Sequence, residues 1–234
     1  TETDIAILTN ADAARLMNFV PEYQEEIGKA LCKDRGKIPT DFGLMANMLR
    51  SEHIPWNIFV PMMTDLDAAV KCFSEILPHR GIRTIRDWKI EYAPNTIQDK
   101  TAFDFYVEYE TPKGETGVIG IEVKYTEEGY SVGNKEFAMM QNPVSAYSIT
   151  TRNSECFINN DPMQFNNPDY IQLWRNHILG LAMLQQGMTD FFDSLTLYPT
   201  GNAHFHSSGS RVGVIEAYEK LLTEKGQNTF HAIT

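Results

Sequence analysis

The sequence feature that most constrains the fold is a predicted pair of strands joined by a tight turn, within residues 101–125. The first strand, Phe103–Tyr109, alternates bulky and polar side chains, whereas the second, Val118–Tyr125, is apolar and rich in β-branched residues. The turn contains Pro112, which fixes φ, and Gly114, which accepts a positive φ. The pattern therefore predicts a hairpin within a sheet that is buried on at least one side.

Three ionisable residues interrupt this hairpin: Asp104, Glu122 and Lys124. Because strand side chains alternate between faces, Glu122 and Lys124 share one face and Val123 points to the other. Pairing of the two strands would bring Asp104 beside them. Two carboxylates and an ammonium are costly to bury together unless something compensates, and a hard divalent cation held by carboxylate oxygens would do so. The alternative is a surface hairpin in which Glu122 and Lys124 face solvent as an ordinary cross-strand charge pattern.

The arrangement Asp104…Glu122-Val123-Lys124 resembles the signature of the PD-(D/E)xK nuclease superfamily. The segments SEHIPWNIF, FDFYVEY, GIEVKYTE and QLWRNHILG are similar to a bacterial, restriction-endonuclease-like branch of that superfamily, and the matching segments span roughly residues 50–187. The chain departs from the pattern at one point, because Ala102-Phe103 stands before the aspartate in place of the usual proline.

The resemblance implies an α/β, restriction-endonuclease-like core with elements in the order αβββαβ and a mixed central sheet flanked by helices. It implies that Asp104 and Glu122 hold Mg²⁺ or Mn²⁺ and that the Val123 carbonyl adds a ligand. Lys124 is implied to assist the attacking water. The implied activity is hydrolysis of phosphodiester bonds in a nucleic acid, with DNA as the expected partner. The alternative function is a catalytically silent member of the fold that serves as a binding or assembly protein.

Two predicted helices carry further candidate residues. The long helix within residues 168–186 places Gln172, Arg175 and Asn176 on one side. The resemblance implies that Gln172 orients the water bound to the metal and that Arg175 contacts a phosphate. An earlier predicted helix ends near Glu52, which the resemblance implies as a further residue of the metal site. In both helices the alternative is an ordinary polar side chain in solvent.

The net charge of the chain is −11 over 234 residues, which is unfavourable for phosphate binding. A protein that binds nucleic acid needs positive potential where the phosphates lie. The segment 79–89 carries four basic residues against a single acid, so it is the best local candidate for a phosphate-facing patch: Arg80, Arg83, Arg86 and Lys89. The alternative is a solvated loop and strand edge.

The length of the chain fits one domain over residues 1–234. Two short helices are expected in residues 1–39, as a lid or as the contact of a homodimer. Residues 127–167 lack clear periodicity and are expected to form an irregular insertion or flap. Three scattered cysteines without metal-binding spacing favour a reducing cytoplasm. No apolar run is long enough to span a bilayer, so no membrane partner is expected.

Overall fold

The computed structural model of the protein describes residues 6–37, 40, 42–126 and 129–234. The chain forms two compact units, Thr1–Ile85 with Tyr125–Glu127 and Arg86–Lys124 with Glu128–Thr234. The single domain expected over residues 1–234 stays a prediction, because two compact units can fold either together or separately.

The first unit is helical. Its helices are α1 (Asn10–Ala14), α2 (Gln24–Arg35), α3 (Phe42–Ala46), α4 (Ile54–Met62) and α5 (Leu66–Ile76). Helices α1 and α2 lie in the described part of the region 1–39, where two short helices are expected. Asp65 caps α5, because its side chain accepts a hydrogen bond from the Ala68 N–H.

The helix that was expected to end near Glu52 ends six residues earlier, at Ala46. Glu52 lies instead in a 3₁₀ turn, Ser51–His53. The side chain of Asn47 accepts a hydrogen bond from the Leu49 N–H at 3.0 Å. Such a local side-chain bond competes with the next helical turn and accounts for the early end.

The second unit contains almost all of a five-stranded mixed sheet in the described part of the chain. Its strands are β1 (Thr84–Tyr92), β2 (Phe103–Glu110), β3 (Thr116–Val123), β4 (Phe191–Leu197) and β5 (Phe230–Ile233), and they lie in that order across the sheet. Strands β2 and β3 are antiparallel, whereas β3 pairs with β4, and β4 with β5, in parallel.

The helices of the second unit are α6 (Asn134–Gln141), α7 (Ala146–Ser154), α8 (Ile171–Gln185), α9 (Val214–Glu219) and α10 (Glu224–Gln227). Along the chain, α5, β1, β2, β3, α8 and β4 follow the predicted αβββαβ order, so the predicted α/β fold class is confirmed. Strand β5 was not predicted. None of the helices in the described ranges is long and apolar enough to cross a bilayer.

The predicted hairpin forms as β2 and β3. Its turn closes with a hydrogen bond from the Thr111 N–H to the Glu115 carbonyl at 2.9 Å, and Gly114 takes a φ of +82°. Strand β3 has a neighbouring strand on each side, and every residue of it after Thr116 is buried. This central position explains why its sequence is apolar and β-branched.

Helix α8 forms the core of the second unit against β3 and β4. Twelve of its 15 residues are buried. Gly180 permits the close approach, because a Cβ atom at that position would lie 2.0 Å from the ring of Phe192 on β4. Trp174 stacks on Phe165 with ring centroids 4.9 Å apart. This packing fixes which side of α8 faces the end of the β2–β3 hairpin.

The segment 127–167 is not irregular throughout, because it contains α6 and α7; residues 127 and 128 lie outside the described residues. Ser145 caps helix α7, because its side chain accepts a hydrogen bond from the Ser148 N–H at 3.1 Å. Its buried residues are mostly Ser and Thr, so no apolar period marks it in the sequence. The expectation of irregular structure is therefore wrong for α6 and α7, whereas the role of a flap stays a prediction.

Candidate active site

Asp104, Glu122 and Lys124 come together because of the register of the hairpin. Phe105 pairs with Ile121, so the next positions outward are Asp104 on β2 and Glu122 on β3, side by side on one face. Lys124 follows two residues later on the same face, and its Nζ donates to Glu122 Oε1. Glu122 and Lys124 are buried, with 6% and 7% of their surface exposed. Asp104 is half-buried.

The charge on Asp104 is unfavourable in this setting. Burial raises the pKa of the Asp104 carboxyl well above its ordinary range, and the negative charge of Glu122 raises it further. The Lys124 ammonium and the Val123 N–H act in the opposite direction, and the latter donates to Asp104 Oδ2 at 2.7 Å. A divalent cation would relieve the repulsion between the two carboxylates, so this pair of oxygen donors fits a hard metal ion. The Val123 carbonyl as a further ligand stays a prediction.

Helix α8 supplies two amide side chains to this cluster. Gln172 accepts a hydrogen bond from Lys124 Nζ through its Oε1. Asn176, one turn further along, donates from its Nδ2 to Glu122 Oε2. Asn176 is 4% exposed, and its Oδ1 has no hydrogen-bond partner among the described residues. The two amides thus hold the Lys124 ammonium and the Glu122 carboxylate from the side of the helix.

Arg175 lies on the same helix but turns to a different set of partners. Its Nη2 is 3.0 Å from Asp99 Oδ2 and also donates to the Thr101 hydroxyl, while Glu136 Oε1 lies 3.7 Å away. Tyr147 donates its hydroxyl proton to the same Asp99 oxygen. Arg175 therefore joins α8 to the loop before β2 and to the helices α6 and α7.

The ionisation of this network follows from its contacts. Burial on its own would raise the pKa of Asp99, but hydrogen bonds from Tyr147 and Thr101 and the charge of Arg175 lower it below the ordinary value. Burial likewise opposes the charge on Arg175, but Tyr147, Asp99 and Glu136 raise its pKa. Both partners of the Arg175–Asp99 pair are thus held in their charged forms.

Members of both groups line one cleft of about 470 Å³ within the second unit. Lys124 is not among the lining residues but contacts two of them, Glu122 and Gln172. A cleft of this size with convergent polar groups is typical of a ligand-binding site. Its lining combines the carboxylates, the amides, the Arg175 network and two lysines that sequence reasoning did not select: Asp99, Lys100, Thr101, Ala102, Asp104, Glu122, Tyr130, Lys135, Glu136, Gln172, Arg175 and Asn176.

Two of the basic residues selected from segment 79–89 lie on β1, and neither is among the residues that line the cleft. Arg86 forms an ion pair with Glu110 on β2. Lys89 lies 3.0 Å from the carboxylate of Asp87 and 4.4 Å from the centroid of the Tyr92 ring. Both charges are thus partly compensated by neighbours on the sheet, and their part in nucleic-acid binding stays a prediction.

The remaining selected residues belong to the first unit: Arg80, Arg83 and Glu52. The Glu52 carboxylate lies 2.8 Å from an Arg50 guanidinium nitrogen. The roles of these three residues stay predictions.

The sequence placed Asn176 on the same side of the long helix as Gln172 and Arg175, but no role in the site was assigned to it. It stands four positions after Gln172 and therefore on the same side of a helix. Lys100 and Lys135 carry no comparable signal, because each is a single lysine in a polar segment. Their place in the cleft becomes visible only when the loop before β2 and the start of α6 are both positioned.

The fold and this cluster define a nuclease-like protein. A sequence model of the PD-(D/E)XK nuclease superfamily matches residues 2–234, which is nearly the whole chain. The chain belongs to the PD-(D/E)XK nuclease superfamily. No curated protein and no solved structure matches it. Superfamily membership indicates a nuclease-like phosphodiesterase.

Proposed function

We propose that the protein is a metal-dependent nuclease that hydrolyses phosphodiester bonds, with DNA as its substrate. The observation that carries the proposal is that Asp104, Glu122 and Gln172 line one cleft of a superfamily member and that Lys124 is bound to Glu122 and Gln172. The order of these residues along β2, β3 and α8 also fits the signature on which the sequence resemblance rests.

In this proposal Asp104 and Glu122 hold the metal, Mg²⁺ or Mn²⁺, with the Val123 carbonyl as a further ligand. When bound, the metal supplies a lowered pKa for water and neutralises charge that develops on the phosphate. Asn176 keeps the Glu122 carboxylate in place through its hydrogen bond to Oε2. The amide therefore positions a ligand and does not contact the reacting atoms.

Lys124 is the residue assigned to the attacking water. Its ammonium is fixed by Glu122 and Gln172, so little reorganisation is needed during the reaction. From that position it holds the water and stabilises negative charge on the phosphate. Arg175, in the same cleft, is the candidate contact to a neighbouring phosphate.

The first experiment incubates the protein with circular and with linear DNA, in the presence of Mg²⁺, Mn²⁺ or a chelator. Cleavage of both forms, lost with the chelator, would identify an endonuclease. Attack on linear ends alone would identify an exonuclease. A protein that binds DNA and metal but leaves both forms intact would be the catalytically silent alternative, which the net charge of −11 favours.

Variants then assign the residues. Asp104→Ala or Glu122→Ala should abolish metal binding, measured by calorimetry, together with cleavage. Lys124→Ala should retain much of the metal affinity but lower the cleavage rate on the order of 10²-fold or more, because one fixed electrostatic stabiliser is removed. Cleavage that survives in Glu122→Ala, after contaminating nucleases are excluded, would place the active site elsewhere.

A further inference from the structure

Two lysines of the cleft stand apart from its other charges. Lys100 lies in the loop before β2, and Lys135 lies in the first turn of α6. Both side chains line the cleft and both residues are exposed. Among the described residues, neither ammonium has a carboxylate within ion-pair distance or a hydrogen-bond partner. The chain has 31 acidic and 20 basic residues. Two cations in one cleft without a carboxylate partner are available to bind an anionic ligand.

The other cations near the cleft are already engaged. Arg175 lies between the carboxylates of Asp99 and Glu136. Lys124 is held by Glu122 and Gln172. A phosphate that approached either of these groups would compete with a bound carboxylate or amide. Lys100 and Lys135 have no such competitor in the described part of the structure.

The charge balance of the cleft also bears on when a phosphate can enter. Four carboxylates and three cationic side chains line it. The ammonium of Lys124, bound to two of the lining residues, brings the formal charges into balance, and a divalent cation on Asp104 and Glu122 would make the site positive. A polyanion would then meet positive potential in the one region of this acidic protein where the chemistry takes place.

We propose that Lys100 and Lys135 contact backbone phosphates of the nucleic-acid strand in the cleft, in addition to the phosphates assigned to Lys124 and Arg175. The inference rests on the proposed nuclease function and deepens it, because it names the side chains that hold the strand. It also replaces the basic segment 79–89 as the main source of binding charge. Lysine suits this task as a compact charge on a flexible stem, which follows a phosphate without fixing a base sequence.

The test measures the salt dependence of binding, since each phosphate that the protein neutralises releases counterions. The slope of log K against log salt becomes shallower by about 0.7 for each phosphate that is no longer neutralised on a single strand, and by about 0.9 on a duplex. Labelled single-stranded and duplex oligonucleotides are titrated by fluorescence anisotropy at about 50 to 200 mM salt. Ca²⁺ replaces Mg²⁺, because it binds the same oxygen ligands with looser geometry, and a gel verifies that the strands stay intact.

The variant is the double substitution Lys100→Gln with Lys135→Gln, and the matched control is Lys71→Gln with Lys113→Gln. Both variants remove two exposed positive charges, but the control removes them from α5 and from the β2–β3 turn, outside the residues that line the cleft. The cleft variant should bind more weakly, and its slope should be shallower by about 1.4 on a single strand or about 1.8 on a duplex. The control should keep the wild-type slope. Circular dichroism verifies that both variants are folded.

Three results would overturn the inference. If the wild-type protein binds and cleaves but the slope is unchanged in the folded cleft variant, the role of the two lysines is refuted and the proposed nuclease function stands. An equally shallow slope in the control shows that any two charges matter and that these two have no special place. Wild-type protein that binds neither oligonucleotide refutes the proposed nuclease function and this inference with it.

Discussion

Acid should destabilise this protein through one buried side chain, His177 of α8. The imidazole is fully buried, with Nδ1 3.0 Å from the Tyr218 hydroxyl and Nε2 2.9 Å from Thr229 Oγ1. Burial is the main cause that lowers the pKa of His177 to about 3 from an ordinary 6.5; the charge of His231 acts in the same direction and Asp193 opposes it. The folded protein therefore keeps this ring neutral at pH values where the unfolded chain has protonated it.

The dependence of stability on pH follows from the difference between the pKa of His177 in the folded protein and in the unfolded chain. Above the unfolded value of 6.5 both states are neutral at His177, so the group has no effect on stability there. As the pH falls, the unfolded state gains the proton first, and stability is lost until about pH 3, where the loss is complete. Since one unit of pKa shift corresponds to about 1.4 kcal/mol, the loss from neutrality to about pH 5 is about 2 kcal/mol.

The assay is urea unfolding, followed by circular dichroism at several pH values between neutrality and about pH 5. Over this pH range the free energy of unfolding should fall by about 2 kcal/mol more in the wild type than in His177→Gln, which has no titrating ring at this position. Tyr218→Phe is the matched control, because it removes the partner of Nδ1 but leaves the ring buried and should keep the acid sensitivity. Equal acid sensitivity in the wild type and in His177→Gln would refute the argument that a buried neutral histidine is responsible.

Three further substitutions test a hydrogen bond, a close helix–strand contact and an ion-pair network in the second unit. Asn176→Ala removes a hydrogen bond from the Glu122 carboxylate, so metal affinity measured by calorimetry should fall by about 10- to 100-fold; unchanged affinity would remove Asn176 from the site. Gly180→Val forces a side chain into the ring of Phe192 and should lower the free energy of unfolding by about 1–3 kcal/mol; a variant as stable as the wild type would contradict the close approach. Arg175→Leu leaves the carboxylates of Asp99 and Glu136 without their cation, so the free energy of unfolding measured in urea should fall by about 3–5 kcal/mol. A fall of less than about 1 kcal/mol would show that the network is dispensable for stability.

The hairpin was predictable because its signals are local, whereas the fold class was predictable from the resemblance of several segments to a known superfamily. The proline and Gly114 of the turn and the alternation of β2 specify the hairpin without reference to the rest of the chain. The apolar, β-branched run of β3 predicted burial on at least one side of the sheet, and the structure adds that the strand is central and buried on both faces. Once the hairpin is placed, the neighbouring positions of Asp104 and Glu122 follow from the alternation of side chains.

The remaining features depend on contacts between residues distant in sequence. The hydrogen bond from Asn176 to Glu122 depends on how α8 is oriented about its own axis. The packing of Gly180 against Phe192 fixes that orientation. The ion pair of Arg86 comes from another strand, so the charge count of its own segment overstated the charge available to a ligand. Strand β5 has only four residues, which is too short a run for periodicity to mark.

The central position of β3 makes substitutions at its buried residues more costly in stability than substitutions at exposed positions outside the sheet. Glu122 is buried within that strand, and Lys124, just beyond its end, still donates its backbone N–H to the Leu197 carbonyl at 2.8 Å. A substitution at either position disturbs the interior of the sheet. Lys100 and Lys135 are exposed positions outside the sheet, where most substitutions change stability by about 0.5 kcal/mol or less. In the proposed assignment, contacts to the substrate can therefore change through exposed loops and short helices at little cost in stability, while the groups assigned to the reaction stay fixed in the sheet.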